Sequence, residues 1–235
     1  MLRNCYFIPL VGLSLLAASC KEKLESCPGR CTILTGRLLT SGSQPLPDAA
    51  VTATWNNGRG LFSTSRTKAR TTTDASGNYQ VSFYAQDDEL QDGYFYLTYE
   101  PDKSRYYVLL NTDGPDTGTG TLKRDTTYQL LPFLIPRKAA IKLTVPNPDQ
   151  IQGYFSVSFG SAYGRSLSPS KTSIGSGASI GIPRQNTPYT NTVEVAADQK
   201  LYVQISRSTN GGTYTHTTDS LVVPAGTTHH LTVTY

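Results

Sequence analysis

The chain has 235 residues, of which 37% are hydrophobic and 16% charged, and a formal net charge of +4. Charged residues fall below the ~25% usual in soluble domains, and so small and dispersed a positive excess excludes the concentrated basic footprint of nucleic-acid binding. Tyr and Phe number 15 and 7, and with many Val, Ile and Thr they suit pleated, half-buried surfaces.

Residues 1–19 combine Arg3 with a short apolar run, YFIPLVGLSLLAA, that contains Pro9. The run is shorter than the ~20 apolar residues of a spanning helix. A basic start, an apolar core and small residues at its end are the parts of an export signal. Ala17 and Ser19 suit ordinary cleavage before Cys20. LAASC also resembles a bacterial lipobox, in which Cys20 is acylated and becomes the first residue of the mature chain. Ala17 stands where such boxes usually carry Leu, and Leu16 sits one place further back. Cysteine parity favours the lipobox: Cys5 leaves with the leader, and acylation of Cys20 leaves Cys27 and Cys31 as a pair rather than three thiols. Two acyl chains on Cys20 are enough for stable membrane anchoring.

In CPGRC, Pro28 and Gly29 fit the turn of a tight disulfide loop between Cys27 and Cys31. So short a loop contributes about 2 kcal/mol on the chain-entropy account. Zinc is the rival reading, but it needs four suitably spaced ligands, and His216, His229 and His230 are remote in sequence. The intervening KEKLES reads as a solvated tether. Its Glu22 and Glu25 weakly resemble the acidic residues that follow the acylated cysteine in surface lipoproteins of the Bacteroidetes.

Past residue 31 the pattern is alternating and apolar, with no long helical period. Val51, Ala53 and Trp55 share one face, as do Tyr79, Val81 and Phe83, and Phe95, Leu97 and Tyr99. Later sets are Ile141, Leu143 and Val145, then Leu201, Val203 and Ile205, then Leu231, Val233 and Tyr235. Period two marks strands with one buried face. NNG at 56–58 and TNGG at 209–212 are hairpin chemistry. AQDDELQD, 85–92, is the one stretch suited to a helical turn. So many short strands predict an all-β chain of two consecutive Ig-like or transthyretin-like β-sandwiches, over 32–137 and 138–235, after a signal peptide (1–19) and a lipidated, disulfide-looped tether (20–31). Pro136 and Lys138 mark the seam.

The first half carries a resemblance. TGRLLTSGSQPLPDAAVTATW followed by TTTDASGNYQVSF is similar to the carboxypeptidase regulatory-like family, through Gly36, Pro45 to Ala49, Val51 and Thr73 to Tyr79. The resemblance covers roughly 33–85, continues in outline to about 136, and implies a small transthyretin-like sandwich serving as a non-catalytic accessory module. It names no ligand. The residues themselves support the turn: Asp74 and Asn78 bracket Gly77, which tolerates positive φ, and Tyr79 restarts a strand with its ring inward.

No G-x-S-x-G, H-E-x-x-H or P-loop pattern is present. His216, Asp219 and Ser220 lie close in sequence, but strand spacing keeps them from acting as a triad, and His229 and His230 point to opposite faces. No catalytic activity, metal or cofactor is expected. The acidic stretches Asp87, Asp88, Glu89 and Asp92, and Asp113 with Asp116, are calcium candidates beside the simpler reading of solvated loops. Arg66, Lys68 and Arg70 alternate along one strand and are expected to form a positive stripe, either for acidic glycans or phosphates or to protect a sheet edge. Tyr94 and Tyr96 are expected to face outward as a platform for a sugar or a protein. Asp219-Ser220-Leu221 and Asp125-Thr126-Thr127 resemble the O-glycosylation sites of Bacteroidetes.

These readings converge on a non-catalytic lipoprotein of the cell envelope, anchored through Cys20 and assigned to the outer membrane, whose sandwiches bind a protein or glycan partner. Its alternatives are a structural subunit of a larger envelope assembly and, more weakly, a hydrolase accessory protein.

Overall fold

A computed structural model describes residue 27 and residues 29–58, 63–109, 116–120, 122–166, 172–209, 212 and 214–235. The leader, Cys20 and Asp113 lie outside them.

The first half runs β1 (Thr32–Thr40), β2 (Gln44–Pro45), β3 (Ala50–Asn57), β4 (Thr64–Thr72), β5 (Asn78–Phe83), α1 (Asp87–Gln91), β6 (Tyr94–Glu100), β7 (Asp116–Gly120), β8 (Thr127–Gln129) and β9 (Phe133–Leu134). The second half runs β10 (Lys138–Val145), β11 (Phe155–Ser166), β12 (Thr172–Gly181), β13 (Tyr189–Ala196), β14 (Lys200–Arg207), β15 (Thr215–Val222) and β16 (Thr228–Thr232). The chain is all-β.

Alternation decides which face is buried. Val51, Ala53 and Trp55 on β3 meet Phe95, Leu97 and Tyr99 on β6, and Tyr79, Val81 and Phe83 on β5 close the core from the opposing sheet. Phe83 and Phe95 stack with ring centroids 5.4 Å apart. In the second half Ile141, Leu143 and Val145 pack with Phe155, Val157, Leu201 and Val203. Ile205, Leu231 and Tyr235 border that cluster and stay half-buried. Each such large side chain, fully buried, contributes about 1.5–3 kcal/mol.

In each half a sheet of this kind covers another. Strands β4-β3-β6-β7 form a four-stranded sheet over β5, β1 and β8, and β13-β10-β16 form a three-stranded sheet over β12, β11, β14 and β15. The halves are not merely consecutive, because β9 offers one edge to β1 in parallel and the other to β11 in antiparallel. The result is a nine-stranded sheet running through the seam. Tyr163 of β11 and Ala196 of β13 belong to the first apolar cluster, and the Tyr163 ring stands edge-on to both Tyr107 and Phe133. Ser41 ties the seam further: its hydroxyl donates to the Ala197 carbonyl at 2.7 Å and accepts from the Arg137 N–H at 3.1 Å.

The Asp74–Asn78 turn has the geometry its residues dictate. The Asp74 carboxylate accepts from the backbone N–H groups of Ser76 and Asn78 at 2.8 and 2.9 Å. Gly77 sits at φ +75°, and a Cβ there would run into the Leu38 carbonyl oxygen. Only glycine fits both conditions. The helical turn expected near residue 87 is α1, where the Gln86 N–H donates to the Glu89 carboxylate at 2.8 Å.

Candidate functional site

Cys27 and Cys31 are joined by a disulfide, with Cα atoms 5.7 Å apart.

The expected positive stripe does not form. Ala53 pairs with Ala69 and Thr54 with Thr67, so Lys68 is an extra residue in a β-bulge. A bulge interrupts the two-residue period. Arg66 lies opposite Trp55 on the core face, with its guanidinium 4.7 Å from the indole centroid, while Arg70 lies opposite Thr52 on the outer face. Lys68 turns inward and its ammonium meets the Glu89 carboxylate at 2.8 Å, with side-chain exposures of 3% and 0%.

The same contacts correct the calcium reading of 87–92. Asp88 pairs with Arg66 at 2.9 Å, and the Arg66 guanidinium holds the Asp88 carboxyl below its ordinary range. Glu89 takes both Lys68 and Arg66, and Asp87 pairs with Arg124. Asp92 accepts from the Asn57 amide through its side chain and from the Trp55 indole through its carbonyl. Basic residues and hydrogen-bond donors thus occupy the acids that a calcium ion would need.

Tyr94 and Tyr96 face outward from β6, opposite Asn56 and Thr54, with ring centroids 5.9 Å apart. Tyr94 is 48% exposed. Arg70 shares this outer face, whereas Arg66 and Lys68 do not, so the tyrosines and the three basic residues make no common surface.

His216 bonds across to Ser206, its Nδ1 being 2.9 Å from the hydroxyl, and Asp219 lies opposite Val203. The strand thus separates His216 from both Asp219 and Ser220, and these three form no nucleophile–base–orienter arrangement. Ser220 is exposed on β15, and the Thr126 hydroxyl donates to the Arg124 carbonyl.

A feature the sequence did not point to is a cleft of about 640 Å³ across β5, β1 and β8. Register builds it: Thr35 stands between Gln80 and Gln129, and Arg37 stands opposite Asn78. Leu130, Pro132, Thr72 and Asp74 line it too. Arg37 donates through Nε to the Ser76 carbonyl at 3.0 Å. Gly36 also lines the cleft, and a side chain there would run into the buried Tyr79 ring. The Tyr79 hydroxyl is 2.9 Å from that of Tyr99, and burial pushes its ionisation far above the ordinary tyrosine range. The cleft residues come from three separated stretches. Among them Thr35, Arg37, Asn78, Gln80 and Gln129 carry one signal in sequence, that they occupy the polar positions alternating with core residues.

No protein-family model matches the chain, so the carboxypeptidase regulatory-like resemblance stays a likeness of motifs. No curated protein matches it in sequence. Among solved structures, a 9R-lipoxygenase from Cyanothece is similar over 49% of this chain and 18% of its own, at 15% identity and TM-score 0.34. The streptococcal ancillary pilin is similar over 88% of this chain and 63% of its own, at 9% identity and TM-score 0.33. The shaft pilin SpaA from Lactobacillus rhamnosus GG is similar over 87% and 97%, at 8% identity and TM-score 0.29. The chain thus spans less than two thirds of the first two, and overlaps this loose do not define what it does.

Proposed function

We propose that the chain is a non-catalytic structural subunit of the cell envelope, anchored to the outer membrane through an acylated Cys20 and assembled with a second copy of itself through the β15 edge. The edge carries the assembly reading. β15 is an eight-residue strand in unbroken register with β14, with no Lys, no Pro and no bulge, and seven of its residues are exposed. Proteins normally blunt such edges; β4 and β12 each carry a bulge or register break. A two-fold antiparallel pairing centred on Thr218 sets each Asp219 carboxylate opposite a Thr217 hydroxyl and each Ser220 opposite His216. No like charges stand directly opposite, the two Asp219 carboxylates being diagonal neighbours about 7–8 Å apart, and such self-complementarity is what an isologous contact requires.

The anchor rests on the LAASC motif and on parity. With Cys27 and Cys31 bonded to each other, Cys20 is the one cysteine left after the leader. Native mass spectrometry of the detergent-released full chain tests the assembly, with a species of two chains expected. A Thr218→Lys variant, which sets two ammonium groups face to face, should be monomeric. A wild-type monomer across the micromolar range would overturn the reading.

A second reading, that the chain binds a ligand at the envelope, is favoured by the cleft over β5, β1 and β8.

A further inference from the structure

We infer that this cleft is a binding site for a neutral, hydroxyl-rich ligand of the carbohydrate class. The inference deepens the ligand-binding reading and is independent of pairing at β15, which lies in the other half of the chain.

Register sets the spacing of the polar groups. Gln80, Thr35 and Gln129 form one row across three adjacent strands, and Asn78 and Arg37 form the next. Neighbours in a row are about 5 Å apart and rows about 7 Å, which approximates the spacing of hydroxyls around and between pyranose rings. Among the described residues the side-chain amides of Asn78, Gln80 and Gln129 make no hydrogen bond, and the terminal guanidinium nitrogens of Arg37 make none either. Each amide both donates and accepts. A sugar hydroxyl does the same, so every contact can be made in one orientation or the other.

Other ligand classes fit less well. A phosphate or sulfate accepts only, so it would use the amide N–H groups and the Arg37 guanidinium and leave the three amide oxygens to water, whereas a sugar hydroxyl engages both. A cation would find one carboxylate, Asp74, whose Oδ1 is already engaged by two backbone N–H groups, with Arg37 beside it. One guanidinium and one carboxylate leave the cleft near neutral. Leu130 and Pro132 add an apolar edge where the C–H face of a sugar can lie. The volume of about 640 Å³ lies within the usual range of small-molecule sites.

The test uses the detergent-solubilised full chain with maltotriose, cellotriose and chitotriose as neutral probes and trigalacturonate as the acidic one. Saturation-transfer NMR reads binding to each. At least one neutral trisaccharide should bind, and the double variant Gln80→Ala/Gln129→Ala should weaken it tenfold or more while leaving the melting temperature within 2 °C of wild type, roughly the shift of 0.5 kcal/mol for a chain this size. Silence from all three neutral probes overturns the inference. So does binding that survives the double variant, which would place the sugar elsewhere, and so does a preference for trigalacturonate that Arg37→Ala abolishes. The Thr218→Lys variant should bind the neutral probe as wild type does, so failure of the cleft and failure of the edge are told apart.

Discussion

The buried pair Lys68–Glu89 gives the sharpest test of the packing. The two charges meet at 2.8 Å with side-chain exposures of 3% and 0%. Removing one partner of such a pair costs about 3–5 kcal/mol, because the other stays charged in a poor solvent. The surroundings make the two removals unequal. Without Lys68, Glu89 still has the Arg66 guanidinium at 3.3 Å and the Gln86 N–H at 2.8 Å. Without Glu89, the Lys68 ammonium loses its buried carboxylate, and α1 loses the bond that closes its first turn. Glu89→Leu should therefore cost about 4 kcal/mol, and Lys68→Met about 2 kcal/mol. At roughly 2–4 °C per kcal/mol for a chain of this size, the melting temperature falls by about 8–16 °C and 4–8 °C respectively. The double variant Lys68→Met/Glu89→Leu should recover most of the loss, since an apolar replacement of a buried pair is often neutral. Thermal unfolding followed by circular dichroism measures all three. A Glu89→Leu protein melting within 2 °C of wild type, or a double variant showing the simple sum of the single losses, would refute the reasoning.

Two further outcomes are expected. Tyr79 keeps its proton in the folded chain at pH values where an unfolded tyrosine, titrating near about 10, has lost it. Its contribution is fully present below about pH 10 and fades above that, because the unfolded state then binds fewer protons than the native one. Tyr79→Phe should flatten the alkaline fall in urea-unfolding stability between about pH 10 and 12; an unchanged slope would show that Tyr79 is not the group responsible. Cys20→Ser should abolish fatty-acid labelling in cells and release the chain from the membrane fraction, and label persisting in that variant would remove Cys20 as the anchor.

Much of the fold is legible in the sequence because alternation and turn chemistry are local. Tyr79, Val81 and Phe83 face the core on sequence spacing alone, and Asp74, Gly77 and Asn78 specify a turn that no distant contact needs to complete. The basic stripe misleads because the period holds only while pairing is regular. The bulge at Lys68 depends on the partner strand β3, where Ala53 and Thr54 meet Ala69 and Thr67, and on the acid that α1 presents to it. The acidic stretch and the basic strand read as two separate surface features, and their meeting is a tertiary event. The same holds for β9, two residues long, whose neighbours come from opposite ends of the chain. It holds for the cleft as well, since 35–37, 78–80 and 129–132 converge only through register.

Assembly through β15 is tested most directly where the chain resides. A photo-cross-linking amino acid placed at Thr217 and activated on intact cells should give an adduct of two copies of this chain, lost when Thr218→Lys is added. The same probe at Thr98, on the outer face of the other half, should give no such adduct. A Thr217 probe that yields only the uncross-linked chain, or an adduct indifferent to Thr218→Lys, would contradict the assignment of this edge as the assembly surface.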